Sequence, residues 1–306
     1  MAIQKELWIR TIAESLFADN TFVQQSLDDS EFMEGNVVHL PQSGTKPTVE
    51  KNRTNLPATA AKRTDTDSTY PVDEYTTDPV ILQNTEAIEV SYNKRTSILA
   101  QHIGTLEEEV GFQLSYYWAT SQATQQVRTT GSARTAYKTG QTGTRKALTK
   151  ADLIEVRRIM DRMDIPQMGR IALIDADHYP DLLSISEFVD ANKIGGSGNI
   201  SSGSIGQIFG FDVYVRSNVV MYDNTGTPVK KAPGTAVAAT DNAASLFWHK
   251  NFVRRSVGNT ANSGIKVFQK NDDPQFYGAV FSALVRAGGK HAYTNERGIV
   301  ALIEAA

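Results

Sequence analysis

The tetrapeptide Asp175-Ala176-Asp177-His178 is the part of this sequence whose residue types and spacing best suit chemistry. Two carboxylates and an imidazole placed after a strand form a donor set that divalent metals bind. The same residues also have a structural explanation, because carboxylates that precede a helix accept hydrogen bonds from its free backbone N–H groups. A buried-strand pattern ends at Asp175 and a helix-like stretch begins at Tyr179. The sequence therefore favours helix capping and predicts no metal site here.

Other residue types that serve catalysis are scattered or absent. There is no cysteine, which excludes disulfides, thiolate metal sites and cysteine nucleophiles. The five histidines have no zinc-type spacing, and no HExxH, GxSxG or phosphate-binding GxxxxGKS/T motif is present. The run Gly195-Gly196-Ser197-Gly198 is glycine-rich but carries no lysine. We therefore predict that the protein is not an enzyme and that it binds no cofactor and no metal.

The composition is that of an ordinary globular protein. Of the 306 residues, 40% are hydrophobic and 21% are charged, so the chain can bury a core. A net charge of −3 is too small for long-range attraction to nucleic acid or to an anionic membrane. Residues 1–20 lack the pattern of a secretory signal, and no apolar run approaches the length of about 18 residues that a membrane span needs. These features predict a soluble protein made in the cytoplasm.

A long amphipathic helix is the clearest predicted element. From Lys94 to about Val127 there is no proline, and large apolar residues recur at steps of three and four. These residues are Leu99, Ile103, Leu106, Val110, Leu114, Tyr117 and Trp118. Gly104 and Gly111 interrupt the helix and indicate bends or the close approach of a neighbouring chain. The residues 107–109, all glutamate, form an acidic cluster on its surface.

A polar, turn-rich stretch, 42–78, precedes this helix. A strand is predicted before it over 37–41, and two more are predicted after it over 80–82 and 88–92. Because a structureless loop of this length is uncommon in a compact domain, the stretch is either a disordered insertion or a long protruding hairpin that contacts another chain. Its second part is acidic. Its first part is basic, with one anion, Glu50, against five cations: Lys46, Lys51, Arg53, Lys62 and Arg63.

The remaining sequence alternates helix, strand and loop signals. We predict an amphipathic helix over 3–18, a linker over 129–148, a helix from a capping box at Thr149 and Asp152 to Pro166, a strand over 169–175, a helix over 179–188, a loop over 195–206, strands over 209–215, 245–249, 265–269 and 298–303, and a helix or strand over 276–287. A long helix beside sheets makes the predicted class α+β.

The order of these segments resembles the major capsid protein of tailed bacteriophages, the Hong Kong ninety-seven type fold. The helix and strand over 153–174 and the strand phrase Gly206 to Val215 are similar to sequences of that family. In that phrase the resemblance implies a tight bend at Gly210 and core positions at Phe211 and Val213. It implies an N-terminal arm (1–35), an extended loop (36–93), a spine helix with a peripheral domain (94–175), an axial domain (176–289) and a returning peripheral strand (290–306).

The resemblance implies a structural subunit that self-assembles into the icosahedral shell enclosing phage double-stranded DNA. The implied partners are other copies in pentamers and hexamers, portal, scaffolding and decoration proteins, and packaged DNA only non-specifically, with no membrane. The implied location is the virion capsid, assembled in the host bacterial cytoplasm. Three alternatives stay open: an encapsulin-like nanocompartment shell, a tail or baseplate structural protein, and, more remotely, a hydrolase built on Asp175, Asp177 and His178.

In the implied geometry the extended loop points away from its own spine helix, so its cations would meet the spine helix of a neighbouring subunit. Three successive helical residues spread over about 200°, so at least one of the three glutamates must face outward. The predicted inter-subunit contact consists of Lys51, Arg53, Lys62, Arg63, Glu107, Glu108 and Glu109.

Overall fold

The computed structural model describes residues 21–306, apart from 45–46, 55, 58–59, 61, 186–205, 259–263, 274 and 276. For residues 34, 83–97, 272 and 273 it describes the backbone alone. The predicted helix over 3–18, nearly all of the predicted loop over 195–206 and the end of the predicted helix over 179–188 lie outside the described residues. The described part combines helices with sheets and confirms the predicted α+β class.

The described residues contain three α-helices and three 3-10 helices. The α-helices are α1 (Asn84–Trp118), α2 (Lys150–Arg162) and α3 (Tyr179–Leu183), and the 3-10 helices are Thr21–Gln24, Ser30–Phe32 and Ala123–Gln125. Helix α2 begins with the predicted capping box, in which the Thr149 N–H donates to the Asp152 carboxylate at 2.8 Å and the Asp152 N–H donates to the Thr149 hydroxyl. In the part of the chain that the structure describes, no helix is long and apolar enough to cross a membrane.

The strands form two large sheets and two small ones. In chain order they are β1 (Leu27–Asp28), β2 (Met33–Glu34), β3 (Val37–Gln42), β4 (Thr66–Pro71), β5 (Asp73–Thr76), β6 (Val80–Gln83), β7 (Gln126–Arg128), β8 (Ala133–Thr135), β9 (Thr144–Lys146), β10 (Arg170–Asp175), β11 (Gly206–Ile208), β12 (Phe211–Arg216), β13 (Val220–Tyr222), β14 (Lys230–Lys231), β15 (Asn242–His249), β16 (Val253–Val257), β17 (Lys266–Asp273), β18 (Gly278–His291) and β19 (Ile299–Ile303).

The first large sheet, which we call the long sheet, is built on β18. Strands β16 and β17 pair with one edge of β18, β5 and β6 pair with the other, and β1 joins β16. Alternate residues of β18, including Ala283, Val285 and Ala287, are buried in one apolar cluster with α1. Period-two burial of this kind is expected for a sheet that packs one face on a helix. At Gly289 a Cβ would lie 3.1 Å from Leu114 of α1, so glycine allows the helix to pack closely.

The second large sheet, which we call the broad sheet, has both faces covered. Its order is β11-β12-β10-β15-β13-β14, and β19 pairs with β15 and β7. Every residue of β10, β15 and β19 is buried, which explains why these strands appear in the sequence as nearly continuous apolar runs. One face packs on α2 and the other packs on α1. The Trp118 and Trp248 rings, whose centroids are 5.4 Å apart, join α1 to this sheet.

Residues 37–71 form a hairpin, as one of the two interpretations of the polar stretch predicts. Strand β3 pairs antiparallel with β4 from Val37 opposite Pro71 to Gln42 opposite Thr66. The segment between them, residues 43–65, is called the hairpin loop below. The rest of the stretch contributes β5, so it is less irregular than its composition indicates.

Helix α1 begins earlier and ends earlier than predicted. It includes residues 88–92, so the strand predicted there is wrong. An alternation of five residues is too short to distinguish a strand from a helix. The helix ends at Trp118 rather than near Val127, because Lys230 from β14 donates to the carbonyls of Tyr116 (3.0 Å) and Ala119 (2.7 Å). A cation that donates hydrogen bonds to the last carbonyls of a helix stabilises its C-terminal end. Val127 lies beyond the helix, in β7.

The close approach predicted at Gly111 comes from the same chain. A Cβ at Gly111 would lie 2.0 Å from Nη1 of Arg216, which donates from Nη2 to the Glu108 carbonyl at 2.9 Å. Gly104 has nothing within 4 Å of its Cβ position. The tight bend predicted at Gly210 is confirmed by its φ of 85°, and Phe211 and Val213 are buried as predicted.

One further expectation needs correction, because the predicted linker over 129–148 contains the antiparallel pair β8 and β9. Strands β10 and β12, which lie on either side of the segment boundary predicted at residue 175, pair directly. Strands β16, β17 and β18 lie in the long sheet with β5 and β6.

Candidate functional site

The hairpin loop presents its side chains to solvent. Residues 47–54 and 62–65 are exposed at every position, and Val49 is 97% exposed. The apolar side chains of this segment therefore contribute little to the core of their own subunit. An exposed segment of this kind is available to a second chain.

Two of the four predicted contact cations already have partners within the hairpin loop. Arg53 lies 3.1 Å from Glu50, and Arg63 lies 2.7 Å from Asp65. Lys51 and Lys62 are exposed and have no ion-pair partner among the described residues. Of the four cations of the basic front that the structure describes, two lysines are thus available, and Lys46 lies outside the described residues.

The three glutamates of α1 have different environments. Glu107 is 7% exposed, so its inclusion in a surface contact is wrong. Its position on α1 turns the side chain into the protein because successive helical residues are separated by about 100°. Glu108 is exposed, and Glu109 is half-buried and accepts a hydrogen bond from Gln113 at 2.8 Å. Two of the three anions therefore reach the surface.

Glu109 lines a groove of about 670 Å³ between α1 and the segment 74–80. Among the described residues that line this acidic groove, the charged ones are Glu74, Asp78 and Glu109, and none is a lysine or an arginine. Glu74 is 3.3 Å from Arg286. His102 also lines the groove, and burial lowers its pKa. The groove thus combines negative charge with a neutral imidazole.

The residues with the most promising sequence chemistry, Asp175, Asp177 and His178, lie together at the end of β10. The prediction that these carboxylates cap the helix that follows is wrong about the backbone N–H groups that they bind. His178, the N-cap residue before α3, makes no capping hydrogen bond with its side chain. Asp175 accepts instead from the backbone N–H groups of Asp177 and Val219, both at 3.1 Å. The role of its carboxylate is still to satisfy buried backbone donors.

A buried ionic cluster surrounds these three residues. Lys138 is 2.8 Å from Asp175 and 3.5 Å from Asp177, and Arg134 donates to Glu304 at 2.9 Å. Burial raises the pKa of Asp175, which Lys138 opposes, and burial raises the pKa of Glu304, which Arg134 opposes. Within the described residues, no three His, Asp or Glu side chains are grouped closely enough to hold a metal ion.

Ser245, His178 and Glu304 are arranged like a serine–histidine–acid triad. The Ser245 hydroxyl is 2.7 Å from Nδ1 of His178, and Nε2 of His178 is 3.7 Å from Glu304. All three side chains are buried, and burial together with Arg134 and Lys138 lowers the pKa of His178 to about 3. The imidazole is therefore neutral at ordinary pH. A substrate has no access to these atoms, so the arrangement links β10, β15 and the C-terminal segment rather than performing hydrolysis.

Sequence reasoning missed Arg134, Lys138, Ser245 and Glu304. Each lies more than thirty positions from Asp175 in the sequence, and the first two belong to a segment that resembles a linker. Their charges alone give no signal, because surface lysines, arginines and glutamates are common. The strand pairing of β10 with β15, and of β15 with β19, brings Ser245 and Glu304 to His178.

The whole fold is similar to that of solved phage capsid proteins. The capsid structure of the cyanophage P-SCSP1u matches with a TM-score of 0.61 and 15% identity, over 92% of this chain and 86% of that chain. The capsid of Ralstonia phage GP4 matches with a TM-score of 0.64 and 13% identity, over 92% of this chain and 87% of that one. A virus-like particle from Pyrococcus furiosus matches with a TM-score of 0.52 and 10% identity, over 96% and 98% of the two chains.

No family model matches the chain, and no curated protein matches it. At these sequence identities the likeness is one of fold. The chain has the fold of tailed-phage capsid proteins, the Hong Kong ninety-seven type, as its order of segments predicts.

Proposed function

We propose that this protein is the major capsid protein of a tailed bacteriophage, a subunit that self-assembles into an icosahedral shell around double-stranded DNA. The observation that carries the proposal is the similarity of 92% of the chain to the capsid structures of two phages. The match also extends over 86% and 87% of the two phage capsid chains. A fold can host other functions, so the proposal also rests on the exposed hairpin loop.

The proposed role is structural rather than catalytic. The arrangement that most resembles catalytic machinery is buried, and its charges are paired within the chain. The ion pairs and hydrogen bonds of this cluster join α3, β10, β15 and the segment after β19.

The predicted segments 1–35, 36–93, 94–175, 176–289 and 290–306 stay proposals for the arm, extended loop, spine and peripheral region, axial region and returning strand. Within this scheme the extended loop contacts a neighbouring spine helix by charge. The described geometry favours Lys51 and Lys62 as the cations and Glu108 and Glu109 as the anions. A single exposed pair contributes only ~0–1 kcal/mol, but a closed shell repeats it in every subunit.

The proposed partners are further copies of the chain in pentamers and hexamers, with portal, scaffolding and decoration proteins. The net charge of −3 supports only non-specific contact with packaged DNA. The proposed location is the virion capsid, after assembly in the host bacterial cytoplasm.

Sedimentation of the purified chain tests this proposal. We expect pentamers, hexamers or closed shells. The hairpin loop has too little apolar surface to pack onto the core of its own subunit, so it is available to a neighbouring subunit. Detection of the 33.6 kDa species alone at micromolar concentration, with and without co-expressed phage proteins, would contradict it.

An encapsulin-like compartment shell is the second candidate, and the match to a virus-like particle from Pyrococcus furiosus favours it. The two candidates differ in what the shell encloses. Particles purified from their native source contain nuclease-protected DNA under the first proposal and an enzyme cargo under the second.

A further inference from the structure

The hairpin lies against the face of the long sheet opposite α1, at the C-terminal end of β18. A Cβ at Gly289 would meet Leu114 of α1. Because side chains alternate between the two faces of a strand, Gly288 and Lys290 face away from α1. On that side a Cβ at Gly288 would lie 2.5 Å from the Pro71 carbonyl oxygen of β4. Strand β4 therefore crosses the outer face of β18 at this point.

The hairpin is held differently at its base and along its length. At the base, a Cβ at Gly288 would lie 3.1 Å from Cα of Val72, so glycine allows the two backbones to approach closely. Farther along β4, the ammonium group of Lys290 donates to the Ser68 hydroxyl and to the Thr69 carbonyl, both at 2.8 Å. The base is thus a tight backbone contact, and the next contact is a pair of hydrogen bonds from one side chain.

A third contact lies nearest the hairpin loop, where Gln42 at the end of β3 donates to the Ala292 carbonyl at 3.0 Å. On the other side of the hairpin, the Tyr70 hydroxyl donates to Asp29 at 3.3 Å. The hairpin has an apolar cluster of its own, separate from the cluster that joins the long sheet to α1: Met33, Val38, Leu40, Tyr70 and Val72. Apolar packing therefore holds the hairpin together, whereas polar contacts tie it to the long sheet.

Lys290 makes the strongest of these polar contacts. It is half-buried and forms no ion pair within the described residues, so its charge is directed at two neutral acceptors of β4. Hydrogen bonds from a charged donor are stronger than those between neutral groups. We propose that Lys290 is a positioning residue, which sets the angle at which the hairpin leaves the long sheet and so directs the hairpin loop towards a neighbouring copy. Only the neighbouring copy rests on the proposed function, because the angle is a property of the single chain.

The length of the hairpin makes this angle important. A strand of six residues is about 20 Å long, so a rotation of about 20° at its base displaces its far end by about 7 Å. Strands β3 and β4 each have six residues, and the hairpin loop follows at their far end. A displacement of that size separates side chains that were in contact. Loss of the Lys290 hydrogen bonds should therefore be felt mainly at the hairpin loop.

Spin-label distances measure the direction of the hairpin. The chain has no cysteine, so cysteines introduced at Thr66 of β4 and Gln269 of β17, both exposed, are the only labelling sites. Labelled chains diluted with unlabelled protein report the distance within one subunit by double electron–electron resonance. Lys290→Met keeps the apolar stem and removes the donor, so it should shift or broaden the distance by about 5 Å or more. Lys250→Met is the matched control, because Lys250 is exposed and lies outside the hairpin contacts.

An unchanged distance in Lys290→Met, or an equal change in Lys250→Met, would overturn the inference. Ser68→Ala should have a smaller effect than Lys290→Met, because the Thr69 carbonyl remains as an acceptor. It should add nothing in the Lys290→Met background, and additive effects would refute the contact. If Lys290→Met does not fold, Ser68→Ala combined with Gln42→Met decides the matter, and an unchanged distance in that variant overturns the inference.

The critical concentration for assembly, measured by sedimentation at low salt, tests whether the angle directs the loop. It should rise by up to about five-fold in Lys290→Met, the range of a single exposed ion pair, and stay unchanged in Lys250→Met. A changed distance with an unchanged critical concentration would overturn the role of Lys290 in directing the loop. Failure of the wild type to assemble overturns the proposed function itself, whereas the spin-label distance still tests the hydrogen bonds of Lys290.

Discussion

Gly111 and Gly104 lie in the same helix, yet alanine should have opposite effects at the two positions. In an exposed helix interior, alanine is more favourable than glycine by up to about 1 kcal/mol. The Cβ position at Gly104 is open, so Gly104→Ala should gain most of that amount. The Cβ position at Gly111 is 2.0 Å from Nη1 of Arg216, so the guanidinium must move.

The guanidinium of Arg216 cannot move without losing contacts. It donates to the Glu108 carbonyl and lies over the rings of Phe22 and Phe112, at 5.2 and 5.3 Å. A hydrogen bond to a charged group contributes about 1.5–3 kcal/mol, and a cation–π contact contributes about 0.5–2 kcal/mol. After the helix-propensity gain of about 1 kcal/mol is subtracted, Gly111→Ala should destabilise the fold by about 1–4 kcal/mol.

Thermal unfolding of the two variants tests this reasoning. For a chain of this size about 2 °C corresponds to 1 kcal/mol, so Gly111→Ala should lower Tm by about 2–8 °C while Gly104→Ala raises it slightly. In an Arg216→Met background the obstacle is removed, and Gly111→Ala should become stabilising. If Gly111→Ala raises the Tm of the wild-type protein as much as Gly104→Ala does, the packing of Arg216 against α1 is wrong.

Three further changes have expected outcomes. Lys51→Glu with Lys62→Glu should raise the critical concentration for assembly at low salt, by up to about five-fold per contact. Charge reversal of Arg53 and Arg63, which are paired within the loop, should raise it less. Equal effects of the two double variants would contradict the choice of the lysines as the contact cations. The His178 pKa of about 3 lies below the ordinary 6.5, so its stabilising contribution is full above pH 6.5 and is lost as pH falls towards 3. Chemical denaturation of His178→Gln should therefore show a pH slope lower by up to about 1.4 kcal/mol per unit in that window, and an unchanged slope would refute this. Thr149→Ala should lower the free energy of unfolding by about 1 kcal/mol through loss of the capping box, whereas Thr48→Ala in the exposed loop should leave it unchanged. Equal free energies of unfolding for the two variants would show that the capping box does not stabilise the fold.

Local signals in the sequence were sufficient where the neighbours along the chain determine the structure. The capping box at Thr149 needs only four residues, and the buried strand β10 needs only its own apolar run. The three-and-four spacing of apolar residues predicts α1 because each of them faces the same side of one helix. Those elements were therefore predicted correctly in type.

The sequence could not predict features set by distant partners. The end of α1 depends on Lys230, 114 positions after Tyr116 in the chain. The burial of Glu107 depends on the rotation of the helix against the long sheet, which a row of three glutamates does not reveal. The ionic cluster around His178 depends on strand pairing that brings Glu304 beside Arg134. Interactions across such separations have no local sequence pattern.

Electron cryo-microscopy of the assembled protein tests the central claim most directly. The account predicts closed icosahedral particles in which the hairpin loop of each subunit lies on a neighbouring subunit, with Lys51 or Lys62 at the acidic groove beside Glu109. Particles that never form, or a map in which the hairpin loop folds onto its own subunit, would contradict it.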